Sequence, residues 1–229
     1  MLIKEIISNL ENILSHGPKS SDSRISSRQI YFIIKYLRAK LIKQKADKYH
    51  YISDFNYQTF ECLPLELVPE DNCPCYAREC KVLKSTFKLP VILNNRNQLM
   101  LKGLWTQGGE KINYATSDEI KRFKYSKTKK EALTFEIINN YLYVRADPRL
   151  KVVKLTAIFE DPVEINLPSA CGENVLCFDP ETMEFPLDME LVEALNKLTY
   201  EELFNVMLRI PVDTESNSKD DIEVGVQNK

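Results

Sequence analysis

The stretch "LTFEIINNYLYVRA", residues 133–146, decides the fold class of this 229-residue chain. Two runs rich in β-branched and aromatic residues, Leu133 to Ile138 and Tyr141 to Ala146, flank the pair Asn139 and Asn140. Asparagine tolerates the positive φ values that a tight type I′ turn requires. The sequence therefore predicts an antiparallel β-hairpin at this point.

The hairpin belongs to a longer region, residues 49–165, in which short apolar segments alternate with turn residues. Prolines at positions 64, 69, 74, 90 and 148 and the pair Gly108-Gly109 separate these segments. Segments of this length and composition are typical of β-strands. After the hairpin, Lys151 to Phe159 is predicted as the next strand, so the middle of the chain is β-rich.

Residues 1–48 read as two amphipathic helices. The apolar residues from Leu2 to Leu14 recur at helical spacing, which predicts one buried face. The second helix begins after Ser26, which with Gln29 forms a capping box, and should run to about Lys45.

The last part of the chain, residues 166–211, is predicted to contain two further helices. Asp188 caps the first, and Thr199 with Glu202 has the spacing of a capping box for the second. Residues 212–229 are polar and are predicted to form a flexible tail. The predicted class is α+β, with N-terminal helices, a β-rich middle and C-terminal helices in one composite domain.

Composition favours a globular protein that stays in a reducing compartment. A hydrophobic content of 44% is sufficient for a core. We expect no signal peptide and no membrane partner, because charges interrupt the N-terminal stretch and the apolar run from Ile30 to Ile42. In such a compartment six cysteines are expected as thiols rather than disulfides.

Three of the cysteines lie in "NCPCYAREC", residues 72–80, and raise the question of a metal site. Cys73, Cys75 and Cys80 provide three thiols, but no second pair of ligands stands beside them. A metal knuckle formed by Cys73, Cys75 and Cys80 is the alternative, and a loop bent at Pro74 with small buried thiols is favoured. We predict no cofactor and no enzymatic activity, because the chain also lacks phosphate-binding glycine motifs and has only two histidines.

Charge is distributed unevenly along the chain. Residues 19–50 carry nine basic and two acidic side chains, whereas residues 157–204 carry twelve acidic and one basic. Complementary ends suit contacts between identical subunits. The helix at residues 26–45 also combines cations with Tyr31 and Tyr36, so a nucleic-acid binding protein that uses this helix is the alternative function.

Four stretches in this order resemble the structural proteins of crAss-like bacteriophages, and specifically the head-to-tail connector or ring proteins of short-tailed virions. They are "SSDSRISSRQIYFIIKYLRAKLIKQ" (20–44), "CKVLKSTFKLPVIL" (80–93), "YLYVRADPRLKVVKLTAIFEDP" (141–162) and "LTYEELFNVMLRIPVD" (198–213). The resemblance implies a ring of identical subunits, twelve to match the portal, bound beneath the portal vertex. Such a ring, assembled in the host bacterial cytoplasm, extends the channel for packaged DNA and docks tail proteins in the virion.

Candidate site residues follow from this resemblance together with the charge pattern. We expect Arg28, Lys35 and Arg38 to lie at a subunit interface or to face the channel. The C-terminal tail is expected to contact a partner through its isolated apolar residues, Val212, Ile222, Val224 and Val226.

Overall fold

A computed structural model describes residues 1–14, 25–68, 82–116, 118–119, 122, 133–166 and 182–209, with side chains up to residue 205. In these residues three α-helices accompany a sheet-rich core. The helices are α1 (Ile3–Leu14), α2 (Ser27–Tyr49) and α3 (Met189–Arg209). Single turns of 3₁₀ helix occur at Asp54–Asn56 and Glu164–Asn166.

The described strands all fall in the predicted β-rich middle of the chain. They are β1 (Gln58–Leu67), β2 (Val82–Ser85), β3 (Asn94–Asn95), β4 (Gln98–Leu99), β5 (Leu101–Thr106), β6 (Lys111–Tyr114), β7 (Thr134–Ile138), β8 (Tyr141–Arg145) and β9 (Val152–Ala157). The α+β class is therefore confirmed, and strands outnumber helices among the described elements.

Seven strands close into a barrel in the order β1-β2-β8-β7-β6-β5-β9, while β3 and β4 form a separate two-stranded sheet. Strand β1 pairs with β9 along its first part and with β2 along its last three residues, with an irregularity between Phe60 and Leu63. The pair β6 and β7 is parallel and the other barrel pairs are antiparallel. Closure satisfies the strand edges that an open sheet would leave exposed.

The predicted hairpin is confirmed as β7 and β8. Asn139 and Asn140 have φ values of 52° and 64°, as a type I′ turn requires. The turn also contributes to packing, because the amide of Leu89 donates a 2.7 Å hydrogen bond to the carbonyl oxygen of Asn140.

Alternating side chains of the strands fill a common core. In β8, Leu142 and Val144 are completely buried while Tyr141 and Tyr143 are only partly covered, which is the two-residue period of a strand with one inner face. The same core contains Phe60, Leu63, Leu83, Leu104, Ile112, Phe135, Val153, Leu155 and Phe159.

The three helices share a second core, so both ends of the chain contribute to one helical unit. Its buried members include Leu10 of α1, Ile34 of α2 and Leu195 of α3. The N-terminus pairs with the segment before α3 through two backbone hydrogen bonds. The amide of Ile3 donates to the carbonyl oxygen of Met183, and the amide of Phe185 donates to the carbonyl oxygen of Met1. The proposed boundaries at residues 48, 165 and 211 stay a prediction.

One continuous helix, α3, replaces the two C-terminal helices predicted from the sequence. Asp188 does precede the first helical residue, and its carboxylate accepts a hydrogen bond from the amide of Glu190, as predicted. The predicted cap at Thr199 is wrong. Thr199 is buried inside the helix, and its hydroxyl donates a 2.7 Å hydrogen bond to the carbonyl oxygen of Leu195. Because the Thr199 hydroxyl forms its hydrogen bond within α3, this residue does not end the helix.

Candidate interface surface on helix α2

Helix α2 starts where the sequence predicts and extends further, to Tyr49 rather than to about Lys45. The Gln29 amide donates to Ser26 Oγ at 3.3 Å, and the Ser26 amide donates to Gln29 Oε1 at 2.9 Å. These two bonds form the predicted capping box. The inner face of α2 is buried against the helical core by Ile30, Ile34, Leu37, Leu41 and Ile42.

Arg38 joins this inner face and is completely buried. Its guanidinium donates through Nε to the carbonyl oxygen of Pro186 at 2.9 Å, through Nη1 to that of Phe159 at 2.8 Å, and through Nη2 to that of Asn56 at 3.4 Å. Burial lowers the pKa of Arg38 to about 10, so the side chain is still charged at neutral pH. One side chain therefore connects α2 to the segments before β1, after β9 and before α3.

Arg38 is therefore not available on the surface of the subunit, where a residue expected at a subunit interface or in the channel would lie. Arg38 stands four residues after Ile34 and four before Ile42, both of which are buried. Residues four apart lie on the same side of a helix. This spacing from apolar neighbours is the signal in the sequence that indicates burial of Arg38.

Lys35 is only partly exposed, because it is paired inside the subunit. Its Nζ lies 2.8 Å from Asp161 Oδ2, and the hydroxyl of Tyr31 donates a 2.6 Å hydrogen bond to Asp161 Oδ1. Burial alone would raise the pKa of Asp161, but hydrogen bonds from Lys35, Tyr31 and the amide of Val163 outweigh it and lower that pKa. The pKa of Tyr31 is raised, by burial first and by the bond to Asp161 second.

A second ion pair attaches the C-terminal half of α2 to the start of α3. Lys45 Nζ lies 2.8 Å from Asp188 Oδ2 and 2.9 Å from Glu190 Oε2. The bond from Lys45 lowers the pKa of Asp188, and the two acceptors raise the pKa of Lys45. This pair could not be predicted from the sequence, because no local spacing relates residue 45 to residue 188.

The outer face of α2 borders a groove of about 520 Å³, which we call the α2 groove. Phe32, Tyr36, Lys40 and Lys43 line its helical side; Val91, Glu160 and Glu164 lie on its other side. Phe32 is 65% exposed, Tyr36 64% and Val91 43%, so this surface is unusually apolar. The groove therefore combines exposed apolar side chains with Lys40 and Lys43 on its helical side, where Asp47 also lines it, and with Glu160 and Glu164 on its other side.

The remaining predicted site residues are distributed as follows. Arg28 is exposed in the first turn of α2. The tail residues Val212, Ile222, Val224 and Val226 lie outside the described residues, and so do Cys73, Cys75 and Cys80.

Cys62 of β1 is disulfide-bonded, and the other five cysteines lie outside the described part of the chain. The expectation of free thiols is therefore wrong for Cys62. That expectation rested on compartment and chain length, neither of which reports which thiols the fold brings together.

Within the described ranges, no cluster of three or more His, Cys, Asp or Glu side chains is arranged to hold a metal ion. No helix in the same part of the chain combines the length and apolar character needed to cross a bilayer.

Comparison with known proteins identifies the family. The family described as phage tail ring protein 2 matches residues 5–222, which is nearly the whole chain. The chain belongs to this family. A relative, Ring protein 2 of Bacteroides phage crAss001, is 30% identical over 210 residues, covering 89% of this chain and 91% of the relative.

Membership in the phage tail ring protein 2 family confirms the resemblance to crAss-like phage ring proteins. It identifies the chain as a structural ring protein of a phage tail and thus as a component of the virion. A ring is built from subunits that contact one another, so the surface of this subunit must contain complementary faces. The α2 groove is a candidate for one of them.

Proposed function

We propose that this protein forms a head-to-tail connector ring beneath the portal of the phage capsid. Twelve copies match the portal, extend the channel for packaged DNA and give other ring and tail proteins a surface to bind. The ring assembles in the host bacterial cytoplasm and acts without catalytic turnover. The observation that carries the proposal is the α2 groove, an exposed apolar and charged surface in a chain that belongs to a tail ring protein family.

The way α2 is held in the subunit supports a structural role. Three polar attachments fix it to the rest of the subunit: Arg38 to three carbonyl oxygens, Lys35 to Asp161, and Lys45 to Asp188. They connect the helix both to the end of a barrel strand and to α3. A helix held at several points along its length presents its outer face in a fixed geometry, which suits a repeated contact between subunits.

A second exposed apolar surface lies near the C-terminal end of α2. Tyr49 is 60% exposed, Tyr51 63%, Phe55 79% and Met189 74%. The amide of Asp188 donates to Asn56 Oδ1 at 3.1 Å, which brings Phe55 and Met189 into the same region. Head-to-tail rings require two different surfaces on each subunit, and aromatic residues are enriched at such interfaces.

Two further expectations belong to this proposal. Arg28 and Lys35 contribute to a subunit interface or to the channel, with Lys35 acting through its pair with Asp161. The tail, with Val212, Ile222, Val224 and Val226, contacts the portal or an adjacent ring. Arg38 acts inside the subunit instead.

Nucleic-acid binding through residues 26–45 is the weaker candidate. The helix has fewer available cations than its sequence suggests, because Arg38 is buried and Lys35 is paired with Asp161. The carboxylates of Glu160 and Glu164 share the groove with Lys40 and Lys43, and they would repel phosphate.

The test is the mass of the purified full-length protein by multi-angle light scattering, alone and mixed with the portal of the same phage. The connector proposal predicts a closed oligomer of defined copy number, formed spontaneously or on the portal. A protein that stays monomeric with the portal, and binds oligonucleotides with an affinity that falls steeply with salt, would favour the alternative function.

A further inference from the structure

We propose that the outer face of α3 from a neighbouring copy fills the α2 groove, in an antiparallel alignment that places Phe204 on Phe32 and Glu193 beside Lys43. This inference rests on the proposed ring and specifies which two surfaces join its subunits. The occupant is a second copy of this chain.

The outer face of α3 has the composition that the α2 groove requires. Glu193, Lys197 and Glu201 are exposed and follow one another at four-residue intervals. Phe204 is 46% exposed and its ring stacks on Tyr200, with 5.9 Å between centroids and 20° between planes. This face therefore offers an aromatic pair at one end and charges of both signs along the rest.

The inner face of α3 is already occupied within the subunit. Leu195, Thr199 and Leu203 are buried, and the helix packs against α1 and α2. The start of α3 is held by Lys45, which lies on a different side of α2 from the groove residues Lys40 and Lys43. The outer face of α3 in a subunit is therefore directed away from that subunit's own groove, and only another copy can bring it there.

The spacing of aromatic and charged residues agrees between the two helices. Lys43 comes eleven residues after Phe32, and Phe204 comes eleven residues after Glu193. At the α-helical rise, each pair spans about 16 Å. In an antiparallel alignment of α2 and α3, Phe204 therefore lies on Phe32 and Glu193 lies beside Lys43. The opposite direction would place Phe204 beside Lys43 and Glu193 beside Phe32.

The two sides of the groove also match the mixed charge of the α3 face. In this register Glu193 lies level with Lys43 and Glu201 level with Lys35, both on the helical side of the groove, and Lys197 lies level with Ala39 between them. Glu160 and Glu164 on the other side attract Lys197. A uniformly acidic or uniformly basic partner would meet one attractive and one repulsive side.

The test is a charge swap in the full-length protein, with ring formation measured by analytical ultracentrifugation, alone and with the portal. Lys43→Glu and Glu193→Lys should each raise the concentration needed for assembly by at least about tenfold, since each places like charges together. The double variant K43E/E193K should restore most of the assembly. Lys151→Glu, the same change at an exposed site on the barrel, is the matched control and should assemble normally.

A photo-reactive phenylalanine analogue in place of Phe32 gives a second measurement that needs no loss of assembly. Rings are mixed from ¹⁵N-labelled and unlabelled copies, so that a crosslink between two copies can be distinguished from one within a copy. The analogue at position 32 should crosslink to α3 of another copy, near Phe204. Rings that assemble normally with either single reversal, or crosslinks to any other segment, would overturn this docking but leave the ring proposal standing. A wild-type chain that never associates, even on the portal, would overturn both.

Discussion

Arg38 of α2 donates a 2.8 Å hydrogen bond from Nη1 to the carbonyl oxygen of Phe159, which lies just beyond the end of strand β9 at Ala157. The same guanidinium bonds the carbonyl oxygens of Pro186 and Asn56, and its charge is balanced by backbone dipoles rather than by a carboxylate at hydrogen-bonding distance in the described residues. Helical unit and barrel therefore meet at a buried cation. A contact of this kind is sensitive to substitution, because each partner is desolvated.

Replacing Arg38 with Met should destabilise the protein by about 3 kcal/mol, because three carbonyl oxygens lose a charged donor while the aliphatic volume is largely kept. The free energy of unfolding in urea measures the loss. Arg28→Met is the matched control at an exposed position of the same helix and should change stability by less than about 0.5 kcal/mol. Equal effects of the two substitutions would contradict the structural role of Arg38.

The local features of α2 could be predicted from the sequence, but the partners of Arg38 could not. The capping box, the start of the helix and most of its apolar stripe follow from local spacing, and the structure confirms them. The partners of Arg38 lie 18 to 148 residues away in the chain, and no local pattern encodes such contacts. The side of a helix on which a charged residue lies can be inferred from its apolar neighbours, whereas its partners cannot.

In the barrel, likewise, a local turn could be predicted from the sequence but the pairing of distant strands could not. The hairpin at β7 and β8 was predictable because its turn needs two positive φ values and the sequence supplies Asn139 and Asn140. Closure was not predictable, because it depends on β1 pairing with both β2 and β9 and on the parallel pair of β6 and β7. The pairing of β1 with β9 joins segments far apart in sequence. Strand propensity does not indicate which strands become neighbours or whether they run parallel.

Asp161→Asn should reduce stability at pH 7 by about 1 kcal/mol, allowing for solvent screening of the pair with Lys35. The pKa of Asp161 is lowered in the folded protein, so its contribution is present above the ordinary aspartate pKa of about 4 and is lost as pH falls through the folded value. The difference between wild type and variant in urea unfolding should therefore shrink between pH 5 and roughly pH 3.

Glu160→Gln is the control for this pH dependence, because it removes an exposed carboxylate next to Asp161. Its stability should follow that of the wild type across the same range. A gap between D161N and wild type that stays constant down to pH 3 would show that the ionised pair does not stabilise the fold.

Gly103→Ala should displace the ring of Trp105. A Cβ at position 103 would lie 2.7 Å from Cη2 and 2.8 Å from Cζ2 of that ring, which is closer than carbon atoms can approach. We expect a loss of roughly 1–2 kcal/mol and a changed fluorescence emission, which reports this site alone because Trp105 is the one tryptophan of the chain.

Gly108→Ala provides the comparison, since its nearest neighbour would be Thr106 Oγ1 at 3.7 Å, an ordinary contact. Its emission spectrum should match that of the wild type. If G103A leaves the spectrum unchanged, the close approach of Gly103 to Trp105 is not as described.

Asn140→Val should destabilise the hairpin by about 1–2 kcal/mol, because a β-branched residue does not tolerate the φ of 64° at this position. Asn140→Gly should be neutral or slightly stabilising. Thermal unfolding followed by circular dichroism measures both changes. Asn113→Val, at an exposed position in strand β6, is the control, and comparable losses at the two sites would argue against the type I′ turn.

Electron microscopy of the full-length protein, incubated with the portal of the same phage, shows whether this chain is the subunit of a connector ring. We expect closed rings of twelve subunits seated on the portal, with the channel of the ring in line with that of the portal. Free monomers beside undecorated portals, or open filaments in place of closed rings, would contradict it.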